Sequence, residues 1–293
     1  MASYVLQKKP ALAAAITLGV LFGATMPSLA GAPFFSTGSP DGKMASVSQP
    51  GGKVIEVETA DDFSLATNTT LTGASFTGLI PDGSNVEGVT VEIYRVFPLD
   101  SDAVRTPLVT TRVNSPSDIA FSSRDSGSGG LNFSTQVLSP SFTASNSLQL
   151  NAIHPFPNQT TGGTGAVTGE EVQFDVSFTA PFLLPADHYF FVPQVQLDDG
   201  TFYWLSAPRP IVPPGTPFPV GVTDLQGWAR DANLDPDWSR VGTDIVGGNA
   251  TFNFAFSLES AAVPEPAAWS VLLVGFLGLG LALRARSSMP RQV

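Results

Sequence analysis

The long middle part of this chain predicts an all-β fold, a β-sandwich of jelly-roll type. Three observations carry that prediction. Apolar and polar residues alternate with period two in three separate segments, the pattern of a strand with one buried and one wet face. No long run follows the 3.6-residue helical period between residues 31 and 262. Gly- and Pro-rich stretches divide roughly 200 residues into about nine or ten short apolar segments, as in sandwiches and barrels.

Taken in order, residues 31–53 are rich in Gly, Ser and Pro and read as a flexible leader, with the sandwich domain spanning 54–260. Asp61-Asp62-Phe63 opens the folded part, and Leu71–Ile80 is a strand candidate. Val89, Val91 and Ile93 then alternate with Thr90, Glu92 and Tyr94. Leu131–Leu138 is a further candidate. Phe174, Val176 and Phe178 alternate with Gln173, Asp175 and Ser177. Asp187–Leu197 and Thr201–Ser206 follow, and Asp199-Gly200 between them is a hairpin signal. Pro208–Pro219 lacks a backbone donor at six of twelve positions and reads as a surface loop. Thr223–Arg230 is compatible with one or two helical turns. Phe252, Phe254, Phe256 and Leu258 alternate with Asn253, Ala255 and Ser257 to close the domain.

The two ends of the chain differ from this middle. Lys8 and Lys9 precede an apolar stretch, Ala11 to Phe22. Pro27 breaks it, and Ser28-Leu29-Ala30 places small residues where a signal peptidase reads, which predicts a signal peptide over 1–30 cleaved after Ala30. A retained N-terminal anchor is the alternative. At the other end Val263-Pro264-Glu265-Pro266 stands directly before an unbroken apolar run, Ala267 to Leu283, followed by Arg284 and Arg286. That run is 17 residues, or roughly 25 Å of helix, at the lower limit for crossing a bilayer. Pro264 and Pro266 stop the helix from extending backward. The arginines mark its far end as cytoplasmic.

A Pro-Glu-Pro triplet, one short apolar helix and a basic cluster at the C-terminus resemble the PEP-CTERM sorting signal of Gram-negative exoproteins, here over 263–287 with Pro264, Glu265, Pro266, Arg284 and Arg286 as its motif. The resemblance implies an exosortase as processing partner, transient residence in the inner membrane, cleavage near the triplet, and release or attachment at the surface. It also implies a setting rich in exopolysaccharide. An ordinary C-terminal anchor is the competing reading. The Asp61-Asp62-Phe63 opening and Phe-rich closing strand loosely resemble sandwich domains found ahead of such tails.

Charge agrees with an exported segment. All 25 acidic residues lie between residues 31 and 266, against nine basic ones, giving that segment a net charge of −16. Such a surface repels nucleic acid and anionic lipid. There are no cysteines, so neither disulfides nor thiol chemistry are available. No motif calls for a cofactor.

Candidate chemistry is sparse. The two histidines, His154 and His188, lack metal-ligand spacing. Glu170 and Glu171 are adjacent, and neighbouring strand residues face opposite sides. Asp231, Asn233, Asp235 and Asp237 match positions 1, 3, 5 and 7 of a calcium loop. However, Pro236 and Gly242 stand where that loop needs Gly and a bidentate Glu, so an acidic surface loop is the competing reading. Tyr203, Trp204, Trp228 and Trp238 form a candidate glycan platform if wet, and ordinary core if not. The sequence therefore predicts an exported, non-enzymatic surface or matrix protein. A secreted glycan-active enzyme and a stably anchored single-pass protein are the alternatives.

Overall fold

The computed structural model describes residues 33–52, 54–150, 152–153, 160–208, 226–248 and 250–261. The signal peptide with Ala30, the loop 209–219, His154 and the whole sorting tail fall outside these residues. Among the described residues no helix is long and apolar enough to cross a membrane.

The chain is all-β. Its strands are β1 (Phe35–Ser36), β2 (Met44–Val47), β3 (Val57–Ser64), β4 (Thr69–Ile80) and β5 (Val86–Arg95). Then come β6 (Ser122–Asp125), β7 (Leu131–Ala144), β8 (Asn146–Leu148), β9 (Val167–Leu184) and β10 (His188–Leu197). The last are β11 (Tyr203–Ala207), β12 (Trp228–Asp231), β13 (Ser239–Arg240), β14 (Asn253–Phe254) and β15 (Phe256–Ser260). A π-helical segment, Val241–Val246, follows β13.

The strands form two sheets. One has six strands in the order β13-β12-β3-β10-β5-β6. The other has nine: β4 is its spine, with β9 and then β7 on one side, β15 and β1 or β11, β2 and β8 on the other, and β14 paired to β11. All pairings are antiparallel except β2 with β8.

The predicted alternations place the core. Val89, Val91 and Ile93, then Phe174, Val176 and Phe178, then Phe254, Phe256 and Leu258 are all buried. Within the nine-stranded sheet Phe76 stacks on Phe174 at 4.9 Å and Trp204 on Phe254 at 5.0 Å, and Phe191 of the six-stranded sheet stacks on Phe256 of the other at 5.0 Å. Packing is close enough to dictate a glycine. A Cβ on Gly78 would lie 2.1 Å from the Phe202 ring and 2.6 Å from the Tyr203 carbonyl oxygen.

Three expectations are corrected. The stretch 31–53 is not a flexible leader over its described part, because β1 pairs β15 and β2 pairs β11, and Met44–Val47 is fully buried. Its small residues are structural. The Thr37 hydroxyl donates to the Phe254 carbonyl at 2.6 Å, Ser46 bonds Thr59 at 2.6 Å, and the Ser48 hydroxyl donates to the Pro193 carbonyl at 2.6 Å. Ser and Thr there satisfy backbone groups that a dry interior would otherwise orphan. The domain therefore begins well before residue 54. Asp199-Gly200 makes no hairpin, since β10 belongs to the six-stranded sheet and β11 to the nine-stranded one. The turn hands the chain across the sandwich. Finally, Trp228–Arg230 lies in strand β12, not a helical turn, because β3 offers it a full antiparallel ladder.

Candidate functional site

The predicted glycan platform does not exist as a wet surface. Trp204, Trp228 and Trp238 are each at most 1 % exposed. Trp204 belongs to the inter-sheet core and donates its indole N–H to the Ala255 carbonyl at 2.9 Å. Trp228 and Trp238 lie on the outer face of the six-stranded sheet, in a second apolar cluster with Ala60, Tyr94, Phe190 and Val192. Tyr203 faces away from Trp204, as alternation requires, and is half-buried against Ala45, Leu79, Ala144 and Leu205. These rings do what large aromatics usually do and fill space.

The acidic loop is no calcium site either. Among the described residues no group of three or more acidic or histidine side chains could hold a metal ion. Its carboxylates are engaged within the protein. Asp231 accepts the backbone N–H groups of Asn233 and Leu234, both at 3.0 Å, which makes it the anchor of a turn. Asp235 pairs with Arg230 at 3.0 Å. Asp237, with a side chain 0 % exposed, pairs with Arg105 at 2.7 Å and Arg112 at 3.4 Å. Burial alone would raise the Asp237 pKa. The Arg105 hydrogen bond, the Leu108 N–H and the charges of both arginines outweigh it and hold the carboxyl below its ordinary range.

These arginines are part of a cover. The long connection from β5 to β6 lies over the outer face of the six-stranded sheet, pinned by the Trp238 indole N–H to the Ser117 carbonyl at 3.1 Å and by Arg230 to the Asp118 carbonyl at 3.1 Å. Beneath it sits a buried charged cluster. Arg230 is ion-paired to Glu58, donates to the Tyr94 hydroxyl at 2.8 Å, and lies 4.3 Å over the Trp238 ring. The Tyr94 hydroxyl is also 2.7 Å from Glu58 and 3.0 Å from Glu92. Burial, then the neighbouring charge and hydrogen bond of Glu58, push Glu92 up to about 7, against the lowering pull of Tyr94 and Arg230. Two carboxylates on one hydroxyl is the raw material of acid–base catalysis. Here Glu58, Tyr94 and Arg230 are all buried, so the cluster ties strands together. On the same face His188 bonds Asp62 across β10 and β3 at 2.8 Å.

The outer face of the nine-stranded sheet is the opposite. Register aligns Ser36, Ser257, Ser75, Asp175 and Ser134 in one row across five strands. A second row places Thr77 beside Gln173 and Gln136. Neither row holds a cation. An open groove of about 400 Å³ runs over this face, with Ser75, Thr77 and Ser257 on its floor. Glu171, Gln173 and Leu138 form one wall, and the loop carrying Ser39 and Pro40 forms the other. Burial raises the Glu171 pKa above its ordinary value. Burial and then the charge of Asp175 do the same for nearby Glu259.

This groove was hidden from sequence reasoning. Its residues come from five strands and a loop scattered along the chain, and no motif or spacing links them. The one available signal was the run of outward residues beside the groove, Ser75, Thr77, Gln173, Asp175 and Ser257, with no Lys or Arg among them.

No family model matches the sequence, and neither a curated protein nor a solved structure is significantly similar to it.

Proposed function

We propose that this is an exported, non-enzymatic surface or matrix protein, sorted by an exosortase through its Val263-Pro264-Glu265-Pro266 tail and associated with exopolysaccharide. The observation that carries the reading is the tail: a Pro-Glu-Pro triplet, a 17-residue apolar run and Arg284 and Arg286. A signal peptide cut after Ala30 puts the intervening segment outside the inner membrane. The two basic ends then stay in the cytoplasm by one consistent topology. The net charge of −16 between residues 31 and 266 supports a soluble exterior body with no affinity for nucleic acid. A jelly-roll arrangement is the finer reading of the fold. It is supported by the chain's repeated crossing between sheets, at β2 to β3, β3 to β4, β4 to β5, β9 to β10 and β10 to β11.

Replacing Pro264, Glu265 and Pro266 together with alanine tests this reading. Alanine removes the recognition triplet and lets the apolar helix propagate backward, since it is the best helix former. Export should continue and tail removal should stop, read by intact mass of the cell-surface form. Equal tail removal in both forms would overturn the sorting assignment. An uncut tail in the unmodified protein would instead favour the stably anchored form.

A further inference from the structure

We propose that the groove on the outer face of the nine-stranded sheet binds an internal segment of a neutral polysaccharide chain. The proposal deepens the matrix reading above by assigning it a site and a ligand class, and it rests on that reading only for the biological source of the glycan.

The chemistry of the groove selects for hydroxyls. Ser75 and Ser257 bond each other at 2.6 Å across the floor. A hydroxyl offers one donor and two acceptor positions, so the pair keeps capacity for a ligand on its open side. Gln173 on the wall donates to Asp175 at 2.8 Å with one amide hydrogen, leaving its second hydrogen and its carbonyl oxygen. Glu171 adds an acceptor-only carboxylate. This mixture of donors and acceptors suits a polyol, whose hydroxyls act as both.

Charge excludes the main competitors. The lining contains no Lys or Arg, and its one charged residue, Glu171, repels uronates, sulfates and phosphates. The apolar part of the lining includes Leu138 and Pro40 and carries no exposed aromatic ring, which suits the C–H face of a sugar ring better than an aromatic or aliphatic anchor of a protein partner. At about 400 Å³ the groove falls within the range of small-ligand sites. It is open rather than enclosed, which fits passage of a chain better than capture of its end.

The test is affinity electrophoresis of the full chain, in mild detergent, through gels containing dextran, laminarin or alginate. The protein should be retarded by at least one neutral glucan and not by alginate, with retardation unchanged between low and high salt. Gln173→Ala should weaken binding by about 3- to 10-fold, the worth of one hydrogen bond. Ser39→Trp, at an exposed position on the groove wall, should abolish it while the melting temperature holds. Val104→Ser, far from the groove and 94 % exposed, should change nothing. Absence of retardation by both glucans overturns the proposal, as does preference for alginate or full binding by Ser39→Trp. Normal tail processing without glucan binding would sink the groove and spare the sorting assignment. Glucan binding with an unprocessed tail would do the reverse.

Discussion

The outer faces of the two sheets are built to opposite ends. The face of the six-stranded sheet carries Glu58, Asp62, Glu92, Tyr94 and Arg230, and the connection between β5 and β6 covers much of it, so that Glu58 and Arg230 are buried there as an ion pair. The face of the nine-stranded sheet carries Ser, Thr and Gln in registered rows and stays wet. A buried charge must be partnered or it costs several kcal/mol. A short exposed hydroxyl carries no such debt. Polarity on a sheet surface therefore means two different things. Under a cover it locks strands together, and in the open it is free to meet a ligand.

The sharpest way to break this contrast is to strip a partner from the covered face. Arg230→Leu leaves Glu58 buried without its counterion and should cost about 3–5 kcal/mol. Replacing both Glu58 and Arg230 by leucine should recover part of that loss, because the uncompensated charge is gone. Chemical denaturation of both variants measures the two numbers. A loss below about 1 kcal/mol for the single change would mean the cluster is solvated, and the two faces would then be alike.

A second handle on the covered face is pH. Glu92 is raised from 4.5 to about 7. The folded protein therefore holds this proton more tightly than the unfolded chain. The stability it contributes is complete below pH 4.5, declines as pH rises to 7 and changes no further above. At roughly 1.4 kcal/mol per pKa unit the total is at most about 3.5 kcal/mol. Asp237 works the other way: its lowered pKa contributes stability that is lost only as pH falls through the carboxylate range. Melting curves of the unmodified protein and Glu92→Gln should differ in slope between these two limits. Parallel curves would show that Glu92 titrates as a solvated side chain.

These contrasts also explain what the sequence could disclose. Burial in a strand writes itself as alternation, so Phe174, Val176 and Phe178, or Val89, Val91 and Ile93, were legible from spacing alone. What alternation does not encode is which sheet a strand joins. Asp199-Gly200 looks the same whether the chain turns back on itself or crosses to the other layer. Composition misled in residues 31–53 because Ser and Gly serve equally in mobile segments and in tight packing, where Ser46 and Ser48 bridge to Thr59 and Pro193. Spacing leaves the tryptophans open between platform and core for a related reason. An outward-facing residue is wet only if nothing lies above it, and the cover over Trp228 and Trp238 comes from a loop more than a hundred residues upstream. The buried ion pairs required partners equally distant in sequence, Arg230 from Glu58 and Arg105 from Asp237.

The smallest expected effect is the one that sharpens the contrast most. Ser257→Ala removes one member of the hydroxyl pair on the groove floor. Its partner Ser75 is only partly buried and can turn its hydroxyl to water. An unmade hydrogen bond is costly where a group is left dry, and nearly free where solvent replaces the partner. The change should therefore move stability by no more than about 0.5 kcal/mol, at least sixfold less than Arg230→Leu. A loss of about 2 kcal/mol would mean that Ser75 is sealed from water. The groove floor would then be structural, and the open face would be one more covered one.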